Sequence, residues 1–228
     1  MKRAIKRLDK AVDAILSSRN LNRLPADAPI RDMLDVLLDP DLEIPLTKQQ
    51  IRDEIATFIV AGHETVASAL TWAWHLLVTN PEELQKLKNG PTRAQLVFDE
   101  SLRLYPPAYF IDRVNTEEDT FDGMVLPKGS TLLFSVYEIH RHPNFWKNPE
   151  EFNPERFLDE NIKFSKNYYP FGAGPRMCIG NNFAMYEMIL AIIALVEQFE
   201  IVEKKDPIQI KPLITLKPHN AILEFKKR

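Results

Sequence analysis

Phe171-Gly-Ala-Gly-Pro-Arg-Met-Cys-Ile-Gly180 gathers three of the chain's seven glycines around its single cysteine, Cys178. Average usage would supply about twice as many glycines in a chain of this length, so their concentration here is a signal. Glycine permits a close approach of backbone to ligand, or a positive φ. A lone cysteine in such a loop suggests a thiolate held by main-chain N–H groups. The next stretch, Asn181-Asn-Phe-Ala-Met-Tyr-Glu-Met-Ile-Leu-Ala-Ile-Ile-Ala-Leu-Val-Glu-Gln-Phe199, carries a strong apolar helical pattern. The sulfur therefore stands near a helix N-terminus, where the dipole and free N–H groups favour an anion. Such a sulfur is a soft, electron-rich metal ligand.

Other readings of one cysteine compete. Free Cys is commonly a small buried hydrophobe. A catalytic Cys needs a His base, and five scattered histidines neither supply nor exclude one. Zinc is disfavoured because it takes several soft ligands, whereas haem needs a single protein sulfur. The whole string, Phe-x-x-Gly-x-Arg-x-Cys-x-Gly, is more specific than its parts, and it resembles the signature of the cytochrome P450 family, the haem-thiolate monooxygenases. The resemblance implies a haem b (iron protoporphyrin IX) with Cys178 as its axial ligand. It further implies that Gly172 and Gly180 shape the loop and that Phe171 packs on the sulfur side of the cofactor.

The 228 residues, 45% hydrophobic and 27% charged, match an ordinary globular chain large enough to bury a core. A net charge of −3, with no basic block interleaved with aromatics, gives no reason to expect nucleic acid. One cysteine excludes an internal disulfide and suits a reducing, cytoplasmic setting. The basic opening from Met1 to Ser17 keeps charges throughout and has no continuous apolar core, so it reads as an amphipathic helix rather than a signal peptide. No window reaches the roughly 18 apolar residues of a membrane span.

The chain reads as a single unit over 1–228, mainly α with a small β part. Helices fill 1–105: one from Lys2 to Arg19, a short one from Arg31 to Leu38 closed by Asp39-Pro40-Asp41, and a long one over 47–79. Thr47 with Gln50 forms a capping box at the start of the long helix. Asn80-Pro81 stops it, with Asn80 expected to cap the next helix, Pro81 to Lys88. A helix from Thr92 to Leu104 ends at Pro106-Pro107. Residues 106–170 hold two short strands between Thr120 and Ser135 and a Pro-rich meander. The cysteine loop and its helix occupy 171–199, and a β-prone tail occupies 200–228. No internal repeat appears.

Midway along the long helix lies Ala61-Gly-His-Glu-Thr65. Gly and a β-branched Thr inside a helix both cost stability. Thr65 Oγ can bond the Ala61 carbonyl one turn back and loosen the ladder there. The family's distal helix carries Ala/Gly-Gly-x-Asp/Glu-Thr, matched by Ala61, Gly62, Glu64 and Thr65. The resemblance implies that Thr65 hydrogen-bonds bound O2 and that Glu64 helps deliver protons. Trp72 and Trp74 read as packing residues.

Glu100 and Arg103 lie three apart and are adjacent on one helix. Glu-x-x-Arg followed by Pro154-Glu-Arg-Phe157 is the other shared signature, and it implies a buried structural triad of Glu100, Arg103 and Arg156 supporting the cysteine loop. Arg176 and Arg113 are candidates for bidentate pairing with haem propionates. His140 and His142 have no third ligand at metal spacing. Ala61, Val66, Tyr109 and Phe110 are candidates for substrate contact.

The matched motifs correspond to the C-terminal half of the family's fold, with a short link, Leu87 to Thr92, where members carry a longer segment. The expected function is a monooxygenase that takes two electrons from a ferredoxin or flavoprotein reductase and uses O2 to oxidise a small hydrophobic organic substrate. The missing N-terminal half is an expected partner, since it supplies helices and a loop over the substrate. The alternative is a truncated, non-catalytic haem-binding or interaction fragment.

Overall fold

Thr47 Oγ1 accepts the Gln50 N–H at 3.3 Å while Gln50 Oε1 accepts the Thr47 N–H at 2.9 Å, so the capping box forms as the sequence predicts. The helix it starts, α3, runs unbroken over Lys48–Thr79. The computed structural model describes residues 2–19, 32–39, 43–87, 90–203 and 208–228. Met1, Arg31, Pro40, Asp41 and Lys88, named above, lie outside them.

Two compact units result, Met1–His63 and Glu64–Arg228, with the division inside α3 rather than at a break in composition. In the first, α1 (Lys2–Ser18), α2 (Met33–Leu37) and the opening turns of α3 bury Val12, Leu34, Ile51 and Ile55 as one cluster. Leu8, Val12 and Leu16 recur every four residues, which puts them on one face of α1. Asp32 caps α2 by accepting the N–H groups of Leu34 and Asp35, and Arg19 pairs with both Asp32 and Asp35. Among the described residues, one apolar cluster belongs to the first unit and two to the second.

The second unit is built on α3 from Glu64 onward, α4 (Pro81–Lys86), α5 (Pro91–Leu104) and α8 (Asn181–Gln198). Its core joins Ala73, Trp74 and Leu77 of α3 to Val97, Phe98 and Leu102 of α5 and to Met188, Ile192 and Val196 of α8. The three α8 residues again step by four. Both tryptophans are buried, and Trp72 Nε1 donates to the Leu216 carbonyl at 2.9 Å. Asn80 departs from expectation. Its side chain donates backward to the Leu76 carbonyl at 2.7 Å, closing α3, and α4 starts without a side-chain cap. Pro81 at the first position of α4 has no N–H to satisfy, whereas the last carbonyls of α3 need donors.

Among the described residues, four antiparallel strand pairs supply the β part. β1 (Phe110–Val114) pairs with β4 (Thr131–Ser135), placing Arg113 opposite Leu132. β2 (Asp119–Phe121) and β3 (Met124–Leu126) form a hairpin across Asp122-Gly123, both at positive φ (49° and 78°), as a type I′ turn requires. In the tail, β5 (Phe199–Glu203) pairs with β8 (Leu223–Lys227), and β6 (Gln209–Pro212) with β7 (Leu216–His219). Residues 119–135 thus hold three strands rather than two, and β1 adds a fourth. The charged pair Asp112-Arg113 hides β1 in the sequence, because its pairing with β4 rather than its composition makes it a strand.

Between β4 and the cysteine loop come α6 (Val136–Ile139), a 3₁₀ turn at Pro154–Leu158 and α7 (Glu160–Lys163). A cluster of Leu96, Trp146, Phe157 and Tyr168 ties this irregular stretch to α5. Tyr168 reinforces it, its hydroxyl donating to the Asp99 carbonyl at 2.9 Å.

Candidate functional site

The cysteine loop is shaped by its backbone. Gly172 and Gly174 sit at φ of +76° and +73°, a region that side chains other than glycine rarely enter. The Cys178 N–H donates to the Phe171 carbonyl at 2.9 Å and closes the loop, while the Met177 N–H donates to the Gly174 carbonyl at 3.0 Å. Phe171 is half-buried against the core shared by α3, α5 and α8, so it anchors one end. Gly180, at φ −90°, is not left-handed; an added Cβ would stand 4.0 Å from Cys178 Sγ, in ordinary contact with it.

The thiol is free and exposed. The sequence suggests main-chain N–H groups around the sulfur, yet none bonds Sγ among the described residues; the N–H groups of Met177 and Cys178 go to carbonyls of the loop. Around the sulfur, Met177 and Ile179 are exposed as well, Ile179 at 84%. Arg176 lies in the 3₁₀ turn Gly174–Arg176 and is exposed. Arg113 is exposed on β1, its guanidinium donating to the neighbouring Asp112 carbonyl at 2.7 Å. Neither arginine has a carboxylate partner among the described residues.

On α3, Ala61 and Gly62 are exposed, Glu64 and Thr65 are half-buried, and a Cβ added at Gly62 would meet nothing within 4 Å. α3 is helical through 61–65. Glu64 Oε1 accepts hydrogen bonds from Thr215 Oγ1 and Lys217 Nζ, each at 3.3 Å. Val66, a candidate for substrate contact, belongs to the core instead. Tyr109 donates its hydroxyl to the Leu213 carbonyl at 2.8 Å.

The charged cluster on α5 is buried and densely hydrogen-bonded. Glu100 and Arg103 are both fully buried. Arg103 Nε donates to Glu100 Oε2 at 2.7 Å and Nη2 to Oε1 at 2.9 Å. The remaining donors go to the carbonyls of His140 (2.8 Å), Pro149 (2.7 Å) and Glu151 (3.1 Å). All five N–H groups of the guanidinium are therefore used. Glu100 Oε1 also accepts the Asn153 N–H at 2.9 Å and Arg156 Nε at 3.3 Å. Arg156 further donates to the carbonyls of Lys147 and Asn148. The three residues thus come together and tie α5 to the irregular stretch before the cysteine loop.

His140 belongs to the same cluster, a role the sequence does not signal. Its ring stacks on Tyr168 at 5.3 Å, and its Nε2 accepts the Tyr169 N–H at 3.0 Å, two residues before Phe171. Burial, with Arg103 and Arg141 close by, pulls its pKa down to about 3, so the ring is neutral. Burial also pushes the Asp99 carboxyl up against the pull of Lys163 at 2.9 Å. Among the described residues no group of three His, Cys, Asp or Glu side chains could hold a metal ion, and no helix is long and apolar enough to cross a membrane.

Comparison with known proteins adds a family. A family model described as Cytochrome P450 matches residues 1–90 and 92–225. The chain is 37% identical over 221 residues to Cytochrome P450 4A12 of Rattus norvegicus, covering 86% of this chain and 43% of that protein. It is 36% identical over 214 residues to cyclooctatin synthase of Streptomyces melanosporofaciens, covering 84% and 46%. The crystal structure of a cytochrome P450, CYP102L1, aligns with a TM-score of 0.85 at 31% identity, covering 98% of this chain and 56% of that one. The chain spans about half the length of the curated relatives it matches.

Proposed function

The chain belongs to the cytochrome P450 family, and on that premise we propose that it is the cysteine-bearing C-terminal part of a haem-thiolate monooxygenase. The family implies a haem, and the residues present fit one. A single sulfur donor stands exposed on a glycine-shaped loop with no hydrogen bond to Sγ among the described residues. Gly180 leaves open the space beside it that a Cβ would fill. That sulfur with its cleared surroundings is the observation that carries the proposal.

When bound, the haem supplies the activation of O2, with electrons from a ferredoxin or flavoprotein reductase and a small hydrophobic organic substrate as the molecule oxidised. Cys178 would hold the cofactor by its sulfur. Phe171 would keep water from that side, with Gly172 and Gly180 giving the loop its close approach. Arg176 and Arg113, both without a carboxylate partner among the described residues, are suited to pairing with the propionates. Glu64, half-buried, can take up a proton from solvent at its carboxylate, and the Thr65 hydroxyl beside it can hand one on. Glu100, Arg103 and Arg156 support the loop and take no part in the chemistry.

Titration of the purified chain with hemin, followed by reduction under carbon monoxide, tests this reading. The parent should give the red-shifted band of a thiolate-ligated haem, and Cys178→Ala should lose it. The same band in both proteins would remove Cys178 from its role. The coverage of 43% of Cytochrome P450 4A12 favours a second reading, a haem-binding piece that completes its pocket only with the remaining half of the fold. A loaded chain that binds carbon monoxide yet consumes no reductant with substrate supports that second reading.

A further inference from the structure

Glu64 is held from far along the chain. Thr215, in the bend before β7, and Lys217, on β7, flank the buried Leu216. Both donate to one atom, Glu64 Oε1, at 3.3 Å each, and Oε2 has no hydrogen-bond partner among the described residues. Each contact is long, so neither alone fixes the carboxylate; two donors on one oxygen restrict it more than either could.

The segment that carries them is itself pinned. The Leu216 carbonyl accepts Trp72 Nε1 at 2.9 Å, and the Leu216 N–H donates to the Pro107 carbonyl at 2.9 Å. Trp72 stacks on Tyr105, which precedes the Pro106-Pro107 bend, with ring centroids 4.0 Å apart and planes 7° from parallel. Thr215 is buried, whereas Lys217 and Glu64 keep 49% and 44% of their side chains exposed. The carboxylate is therefore anchored on a rigid support yet open to solvent.

We infer that Thr215 and Lys217 are positioning residues that hold Glu64 by Oε1 and leave Oε2 as the oxygen that takes up and releases protons. The inference rests on the proton-delivery role proposed above for Glu64. An ammonium and a hydroxyl on one oxygen keep that oxygen anionic and direct a proton to the other. They also remove the torsional freedom that an exposed Glu would otherwise retain.

Two readouts on the full chain test this. First, the Glu64 side-chain carboxyl resonance, followed by ¹³C NMR and assigned by its loss in Glu64→Gln, should shift in both Lys217→Met and Thr215→Val, and return close to the parent position in Lys217→Arg. A resonance unmoved in Lys217→Met and Thr215→Val overturns the hold. Second, in the haem-loaded chain the peroxide released per electron should rise about 1.5- to fivefold in Lys217→Met, the span of an exposed ion pair. In the Glu64→Gln background, Lys217→Met should raise it no further. Effects that multiply in the double variant overturn the positioning role. A resonance that shifts while Glu64→Gln leaves peroxide unchanged overturns the proton-delivery reading of Glu64, and the positioning role with it, leaving only the contact.

Discussion

Glu100 and Arg103 meet through two parallel hydrogen bonds, Nε to Oε2 at 2.7 Å and Nη2 to Oε1 at 2.9 Å, with neither side chain exposed to solvent. A pair so placed is costly to break, because removing one partner strands the other's charge in a low-dielectric interior. Arg103→Ala should therefore cost about 3–5 kcal/mol in urea unfolding, or yield insoluble chain. Arg156, which reaches Glu100 by one 3.3 Å contact at 11% side-chain exposure, should cost less, about 1–2 kcal/mol on change to Ala. Arg103→Lys serves if the alanine variant does not fold: a lysine cannot reproduce the fork and should fall below Arg156→Ala in stability. The reverse order would mean that the two-bond geometry does not carry the stability of the cluster.

The helix after the cysteine loop makes a different prediction. α8 is apolar nearly all round, the pattern of a helix buried on every side, yet Phe183, Tyr186 and Leu190 are 74%, 71% and 67% exposed. They recur at i, i+3 and i+7, one continuous stripe. In the isolated chain Leu190→Gln should change unfolding stability by no more than about 0.5 kcal/mol, as at any exposed position, while lowering the binding of a hydrophobic dye. A loss above about 2 kcal/mol would show Leu190 already buried in solution.

What the sequence reveals and what it hides divide along physical lines. The capping box of α3, the apolar steps of α8 and the Glu100–Arg103 adjacency are local, set by spacings of three and four, and each appears in the structure as read. The reach of Arg156 to Glu100 is legible only through the family resemblance, which links two motifs distant in sequence. Interactions decided by distant chain segments were not legible. Nothing near Glu64 announces Thr215 or Lys217, and nothing near His140 announces the Tyr169 N–H. Asn80 illustrates the competition between neighbours: it could cap either helix, and the carbonyls of α3 won over an N-terminus that begins with proline. Val66 shows the converse: a candidate for substrate contact by its sequence position, it belongs to the core.

His140 gives the chain a pH dependence with a definite sign. Its pKa in the fold is pulled down to about 3 by burial, against about 6.5 for histidine in an unfolded chain. Above pH 6.5 both states carry the neutral ring, and the contribution to stability is fully present. As pH falls below that value the unfolded chain binds a proton that the folded chain refuses, so stability declines by about 1.4 kcal/mol per pH unit until the folded value is reached. His140→Phe keeps the stacking surface toward Tyr168 but cannot titrate, and it leaves the Tyr169 N–H unpaired, which lowers stability at neutral pH by about 1–3 kcal/mol. The carboxylates titrate alike in parent and variant, so the difference between the two unfolding curves isolates the imidazole. That difference should be flat above pH 7 and should shrink by about 2 kcal/mol between pH 6.5 and 5. Parallel curves over this range would mean that His140 accepts a proton in the folded chain, and the stacked, solvent-free ring beside Arg103 would then have to open on acidification.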